Sequence, residues 1–99
     1  MRTKIVGTHY RTSMEKQIYN NLTLYAPLML EREPDNEYDG NAIKVIAPIR
    51  NENGIIEDIA HIGYLPKDSN TELAMMLDEG SKFEVTYQGK GQILIVEIE

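Results

Sequence analysis

Cysteine is missing from all 99 residues, which rules out disulfides, thiolate nucleophiles and any zinc site built on thiolates. That absence fits a reducing compartment, and a cytoplasmic location is the expectation. Histidine is scarce: His9 and His61 are the 2 in the chain. No apolar run reaches the roughly 20 residues that cross a bilayer, so no membrane partner is expected. Behind Arg2 and Lys4 there is no long apolar stretch of the kind a signal peptide carries. Internal repeats and low-complexity segments are also lacking. Positive charge is in deficit, with 10 Lys and Arg against 16 Asp and Glu and a net charge of −6. Such a chain is a poor generic binder of nucleic acid, because non-specific affinity comes mainly from Lys and Arg displacing counterions. A nucleic-acid function must therefore rest on a local site. The acids are spread along the chain, as on a solvated surface, and are not concentrated as a DNA mimic would need.

What remains is a globular composition, 41% hydrophobic and 26% charged, at a length that supports one core. The expectation is a single domain over 1–99. Thr3–Gly7 reads as a short first strand. Thr8–Asn21 is polar and irregular, with a short helical turn near 13–20 where Met14, Ile18 and Leu22 recur every four residues. Leu22–Leu30 reads as a strand that Pro27 kinks, bulges or confines to an edge. Glu31–Asn41 is dense in turn formers. Ala42–Ile46 is a buried strand, apolar on both faces except for Lys44, and Pro48 should end it. Asn51-Glu52-Asn53-Gly54 signals a hairpin whose far side is Ile55-Ile56 and then Ile59–Leu65. After Pro66 the main helix is expected over about 67–79. Asp68, Ser69 or Asn70 would cap it, Leu73, Met76 and Leu77 would form its apolar stripe, Met75 and Met76 would fill core, and Gly80 would close it. Lys82–Tyr87 and Gln92–Ile98 are the last strands, each with one inward face. About six short strands and one good helix in this order suggest a mainly β (α+β by content) closed or half-closed barrel.

Signals for catalysis are weak. Ser13, Ser69 and Ser81 have no nearby His, so no triad can be assembled from them. Asp35, Glu37 and Asp39 lie close together but do not follow calcium-loop spacing. Gly89-Lys90-Gly91 lacks the upstream Gly and the following helix of a phosphate-binding loop. A chain of this size also leaves little room for a sugar cleft between paired acids. The reading is a binding module that is not an enzyme and needs no cofactor. His61, beside Ile62 in a strand, is read as structural or partly exposed.

Three stretches say more. Arg32-Glu33-Pro34-Asp35-Asn36-Glu37-Tyr38-Asp39-Gly40-Asn41-Ala42-Ile43-Lys44-Val45 resembles the core signature of the HIRAN family, an Arg and a Pro followed by Asn-x-Tyr-Asp-x-Asn-Ala-Ile-x-Val. Ile5-Val6-Gly7-Thr8-His9-Tyr10 is similar to that family's opening strand and loop. Ile62-Gly63-Tyr64-Leu65-Pro66-Lys67, with the helix behind it, is similar to its third landmark. The resemblance implies a six-stranded barrel of the oligonucleotide-binding (OB) type with helical additions. It also implies a role, since such domains in eukaryotic fork-remodelling helicases grip the 3′ end of single-stranded DNA, in the setting of DNA repair. Relatives in bacteria and phages stand alone or joined to other parts, and this chain resembles a stand-alone member. No ATPase motif of the helicase is in it, so a helicase or nuclease partner would be encoded separately.

Residue by residue, the resemblance implies stacking of terminal bases on Tyr10 and Tyr38, with a further contact near Tyr64. Asp39 would accept a hydrogen bond from the free 3′-hydroxyl, because a carboxylate repels a phosphate but accepts from a hydroxyl. Asn36 would touch the last sugar or base, and Lys67 the adjacent phosphate. His9 stands where well-known relatives have Arg, and Arg11 where an aromatic can stand; Arg11 could make up for His9. A plainer account sits beside each assignment. Asn36, Asp39, Gly40 and Asn41 are turn formers whose local hydrogen bonds would explain them alone. The tyrosines could be core or rim aromatics. Arg32 reads as structural, paired with a carboxylate near the turn, and Lys44 could sit on a barrel face open to water. Three functions therefore stand open: recognition of single-stranded DNA at a 3′-hydroxyl end, a protein-interaction module on the same barrel, and, last, a metal-dependent nuclease using Asp35, Asp39 and a third acid.

Overall fold

A computed structural model describes residues 1–98. Six strands form one antiparallel sheet: β1 (Arg2–Lys4), β2 (Pro27–Arg32), β3 (Ile43–Arg50), β4 (Ile56–Tyr64), β5 (Lys82–Gly89) and β6 (Gln92–Ile98), in spatial order β1-β6-β5-β2-β3-β4. The two edge strands are brought together past the end of β1. There Val6 and Tyr64 exchange backbone hydrogen bonds of 2.8 and 2.9 Å. This single bridge links the two ends of the strand order in an OB-like, mainly β arrangement.

The close approach depends on a residue without a side chain. A Cβ on Gly63 would lie 2.5 Å from Ile5 Cγ2 and 2.7 Å from the Val6 carbonyl oxygen. The core inside the sheet follows strand alternation. Ile43, Val45 and Ala47 of β3, Ala60 and Ile62 of β4, Val85 and Tyr87 of β5, and Ile93 and Ile95 of β6 all turn inward. Ile46, one residue past a register shift in β3, is buried outside that cluster, so β3 is apolar on both faces as its sequence suggested.

Several boundaries differ from the sequence expectation for physical reasons. Pro48 lies within β3 and does not end it. Pairing of β3 with β2 stops at Ile46, so beyond that point β3 has only β4 beside it, and the missing N–H of Pro48 breaks no ladder there. Pro27 opens β2, and the chain before it is loop, with Tyr25 in the left-handed region at φ 68°. Glu31 and Arg32, expected in the turn, belong to β2. The polar stretch near 13–20 is a full helix, α1 (Ser13–Asn20). Thr12 caps it: its side chain accepts from the Glu15 N–H, and the Glu15 carboxylate accepts from the Thr12 N–H.

The expected main helix splits into a 3-10 turn, Lys67–Ser69, and α2 (Asn70–Asp78). No side chain caps its start. Gly80, at φ 94°, closes it as expected, with Gly80 N–H bonded to Leu77 and Ser81 N–H to Met76. Leu73 and Ala74 are buried, but Met75 is exposed and fills no core. The Asn51–Gly54 turn forms as expected, with Asn51 Oδ1 accepting from the N–H groups of Asn53 and Ile55.

Candidate nucleic-acid interface

Between β2 and β3 the chain makes a knot of local hydrogen bonds. Asn36 Oδ1 accepts from the N–H groups of Tyr38 (2.9 Å) and Asp39 (3.0 Å), and its Nδ2 donates to Glu33 Oε1 (2.7 Å). Asn36 is thus spent on the turn. Its two acceptor bonds hold the backbone of Tyr38 and Asp39, and Tyr38 is left 81% exposed. Asp39 is fixed at two points: Oδ1 accepts from Asn41 N–H (2.9 Å) and Oδ2 from Asn70 Nδ2 (3.0 Å). The Asn41 bond does most to hold the Asp39 carboxyl below its ordinary value. Partial burial opposes it, while the Asn70 amide and the nearby Lys67 and Arg32 charges assist. Arg32 itself ties the turn down, through Ala42 and Gly40 carbonyls and through Asp78 at 3.0 Å, the structural pairing its sequence position suggested.

These residues border a cleft of about 300 Å³ lined by Asn36, Tyr38, Asp39, Tyr64, Lys67 and Asn70, with apolar wall from Val6, Ala42 and Leu65. Lys67 is the one cation lining it, and its Nζ lies 3.4 Å from the Tyr38 carbonyl oxygen. Tyr64 is half-buried rather than a free platform. Its hydroxyl donates to Glu33 Oε1 at 2.8 Å, and its ring meets His61 edge-on at 4.7 Å. Burial, with help from Glu33, raises its pKa.

Glu33 is a residue the sequence reading passed over. Its carboxylate accepts from Asn36, from Tyr64 and, at 3.4 Å, from Lys44. Burial pushes its pKa up, but these three partners outweigh burial and hold it low. Lys44 is therefore paired and not simply facing water. Asn70 was also passed over, except as a possible cap, although it carries the second bond to Asp39. Only its position just after Lys67 hinted at a place in the site.

His9, Tyr10 and Arg11 are not among the residues lining the cleft. They occupy the 3-10 turn Thr8–Tyr10 and the residue after it, beyond the Val6–Tyr64 bridge. Tyr10 is 81% exposed, with its ring 4.0 Å from that of His9. Arg11 is committed: Nε donates to the His61 carbonyl (3.1 Å), and the guanidinium pairs with Glu15 at 3.2 Å. It is a structural tie between α1 and β4, so it does not stand in for His9 as a free cation. A hollow beside the cleft is lined by Glu31, Glu33, Asp35 and Glu37 against Arg32 and Lys44, an acidic surround. Among the described residues no three His, Asp or Glu side chains converge as a metal site. None of their helices is long and apolar enough to cross a membrane.

An OB-like sheet with an Asn-x-Tyr-Asp turn at the mouth of a cleft defines a class of small domain. Residues 1–95 match the HIRAN domain family, and the chain belongs to it. A relative is the helicase-like transcription factor of Oryctolagus cuniculus, 38% identical over 78 residues, which are 79% of this chain but 6% of that protein. Among solved structures, the HIRAN domain of human HLTF aligns with a TM-score of 0.70 and 25% identity, over 98% of this chain and 73% of that one. A protein from Lactobacillus plantarum aligns with a TM-score of 0.75 at 20% identity, over 97% of this chain and 89% of that one, a likeness of fold.

Proposed function

We propose that this domain, taken as one unit over 1–99, is a non-catalytic module that binds single-stranded DNA at a free 3′-hydroxyl end. The observation that carries the reading is the state of Asp39. A carboxylate offers about four acceptor positions. Asn41 and Asn70 take one on each oxygen, which fixes the group in space and leaves acceptor capacity for a ligand hydroxyl. A terminal phosphate brought to the same place would meet an ionised acid and be repelled. Tyr38, fully presented beside the cleft, supplies the stacking surface, and Lys67 supplies a cation for the adjacent phosphate. Tyr10 would extend the platform, with His9 beside it. Asn36 acts by shaping the turn that presents Tyr38 and Asp39, and Tyr64 by bracing it through Glu33. A helicase or nuclease working with the domain would provide the chemistry, in a repair setting within the cytoplasm.

The test is fluorescence anisotropy with matched short strands ending in 3′-hydroxyl or 3′-phosphate, at several salt concentrations. Weak but measurable binding to the hydroxyl end and a marked loss with the phosphate are expected. Asp39→Ala should remove the preference, while Lys67→Ala should weaken both strands and flatten the salt dependence. Equal affinity for the two ends defeats end recognition.

A second reading, a protein-interaction module on the same barrel, is favoured by the acidic hollow of Glu31, Glu33, Asp35 and Glu37 next to the cleft. No DNA binding at low salt would leave that reading in possession.

A further inference from the structure

We infer that Asn70 is a positioning residue, set into the fold to orient the Asp39 carboxylate toward its ligand. The inference rests on the 3′-end reading and adds to it a residue that never needs to touch the DNA.

Asn70 is the one buried polar side chain among the described residues, at 2% exposure. Its amide is only half satisfied. Nδ2 donates to Asp39 Oδ2 at 3.0 Å, while Oδ1 is enclosed with no hydrogen-bond partner. A buried carbonyl oxygen without a donor costs folding free energy, a cost that the amide's bond to the Asp39 carboxylate works against. Turning the amide over gives no relief, since Oδ1 would then face a carboxylate oxygen, acceptor against acceptor.

Helix capping does not explain the residue either. Asn70 is the first residue of α2, the cap position is Ser69, and no side chain bonds to the helix start. What the amide does accomplish is the second of the two bonds that hold Asp39. With Asn41 N–H alone on Oδ1, the carboxylate could swing about that contact. With Asn70 on Oδ2 its plane is set. Lys67 lies three residues earlier, on the 3-10 turn that runs into α2. One short stretch thus delivers the phosphate cation and the carboxylate's anchor together.

The experiment compares Asn70→Leu and Asn70→Asp with the unaltered chain in three measurements: the hydroxyl-over-phosphate affinity ratio, the thermal midpoint, and the titration of the Asp39 carboxyl carbon by NMR. Asn70→Leu should lower the ratio about tenfold, the effect of one hydrogen bond to a charged group. It should keep the salt dependence, which Lys67 sets. Its Asp39 titration should move upward. Asn70→Asp keeps the shape but replaces the donor with an acid, so it should lose the ratio and also melt lower. An unchanged ratio or an unmoved Asp39 titration in Asn70→Leu overturns the inference. If the parent chain itself shows no end preference, the 3′-end reading falls. The NMR titration then decides by itself whether Asn70 sets Asp39.

Discussion

The proposed site draws on two tyrosines and one carboxylate, and they differ in how tightly the fold holds them. Tyr38 and Tyr10 are each 81% exposed, so little of the core depends on them. Tyr38→Ala or Tyr10→Ala should leave the melting temperature unmoved while costing about 1–3 kcal/mol per stacked base in single-strand affinity. Anisotropy and calorimetry on the same variants check both halves of that statement. Tyr64 behaves in the opposite way. Its hydroxyl is bonded to Glu33, which also holds Asn36 and Lys44. Tyr64→Phe should cost roughly 0.5–1.5 kcal/mol of stability by chemical denaturation. The local part of this network was readable in advance. Asn36 and Asp39 each bond to an N–H two residues on, and Asn or Asp at such a spacing announces that contact. The plainer account of Asn36 as a turn former is the one its hydrogen bonds bear out. Asp39 is in the turn as well, with acceptor capacity to spare.

At the level of elements, two junctions carry more than their length suggests. The Val6–Tyr64 bridge needs Gly63 bare. Gly63→Ala would push a Cβ against Ile5 and the Val6 carbonyl, a backbone contact that cannot yield as a flexible side chain would. It should cost on the order of 1–3 kcal/mol, measured by denaturant unfolding. The second junction is α1 on β4, tied by Arg11 to the His61 carbonyl and started by the Thr12–Glu15 capping box. Thr12→Ala should cost about 1 kcal/mol. That box stood in the sequence as Thr12-Ser13-Met14-Glu15, yet the segment reads as loop with a brief helical turn because none of its helical residues is fully buried. A helix that packs with half-buried side chains leaves a weak apolar stripe. Pro48 is the reverse case: a strand breaker by type, it is tolerated because one side of β3 is vacant where it falls.

For the molecule as a whole, charge sets the response to pH and salt. Folding lowers the pKa of His61, chiefly through burial and then through the Arg11 charge. The unfolded chain therefore binds the proton more readily, and stability should begin to fall as pH drops below His61's ordinary value of 6.5. Glu15, Glu33 and Asp39 are also lowered, so their contribution is intact above the ordinary carboxylate range and is lost as pH falls through their folded values. Thermal melts from neutral to acid pH should thus show two stages of loss, and His61→Gln should remove the first. With Lys67 the one cation lining the cleft and a net charge of −6, DNA binding should have a shallow salt dependence. A logarithmic slope of about −0.7, one phosphate contact on a single strand, is expected from a salt titration.

The chain of residues by itself determined the strands with clean alternation, the Asn51–Gly54 turn, the Gly80 helix end and the signature that marks the family. Each of these is written by neighbours a few positions apart, where residue type dictates backbone geometry directly. Only the tertiary structure decided that Asn70 meets Asp39 across 31 positions, that Glu33 gathers Tyr64 from the same distance, and that Arg11 is consumed by β4. Those contacts exist because the sheet sets β2, β3 and β4 side by side and brings the segments that flank them within reach, an arrangement not encoded at any one of the positions it brings together.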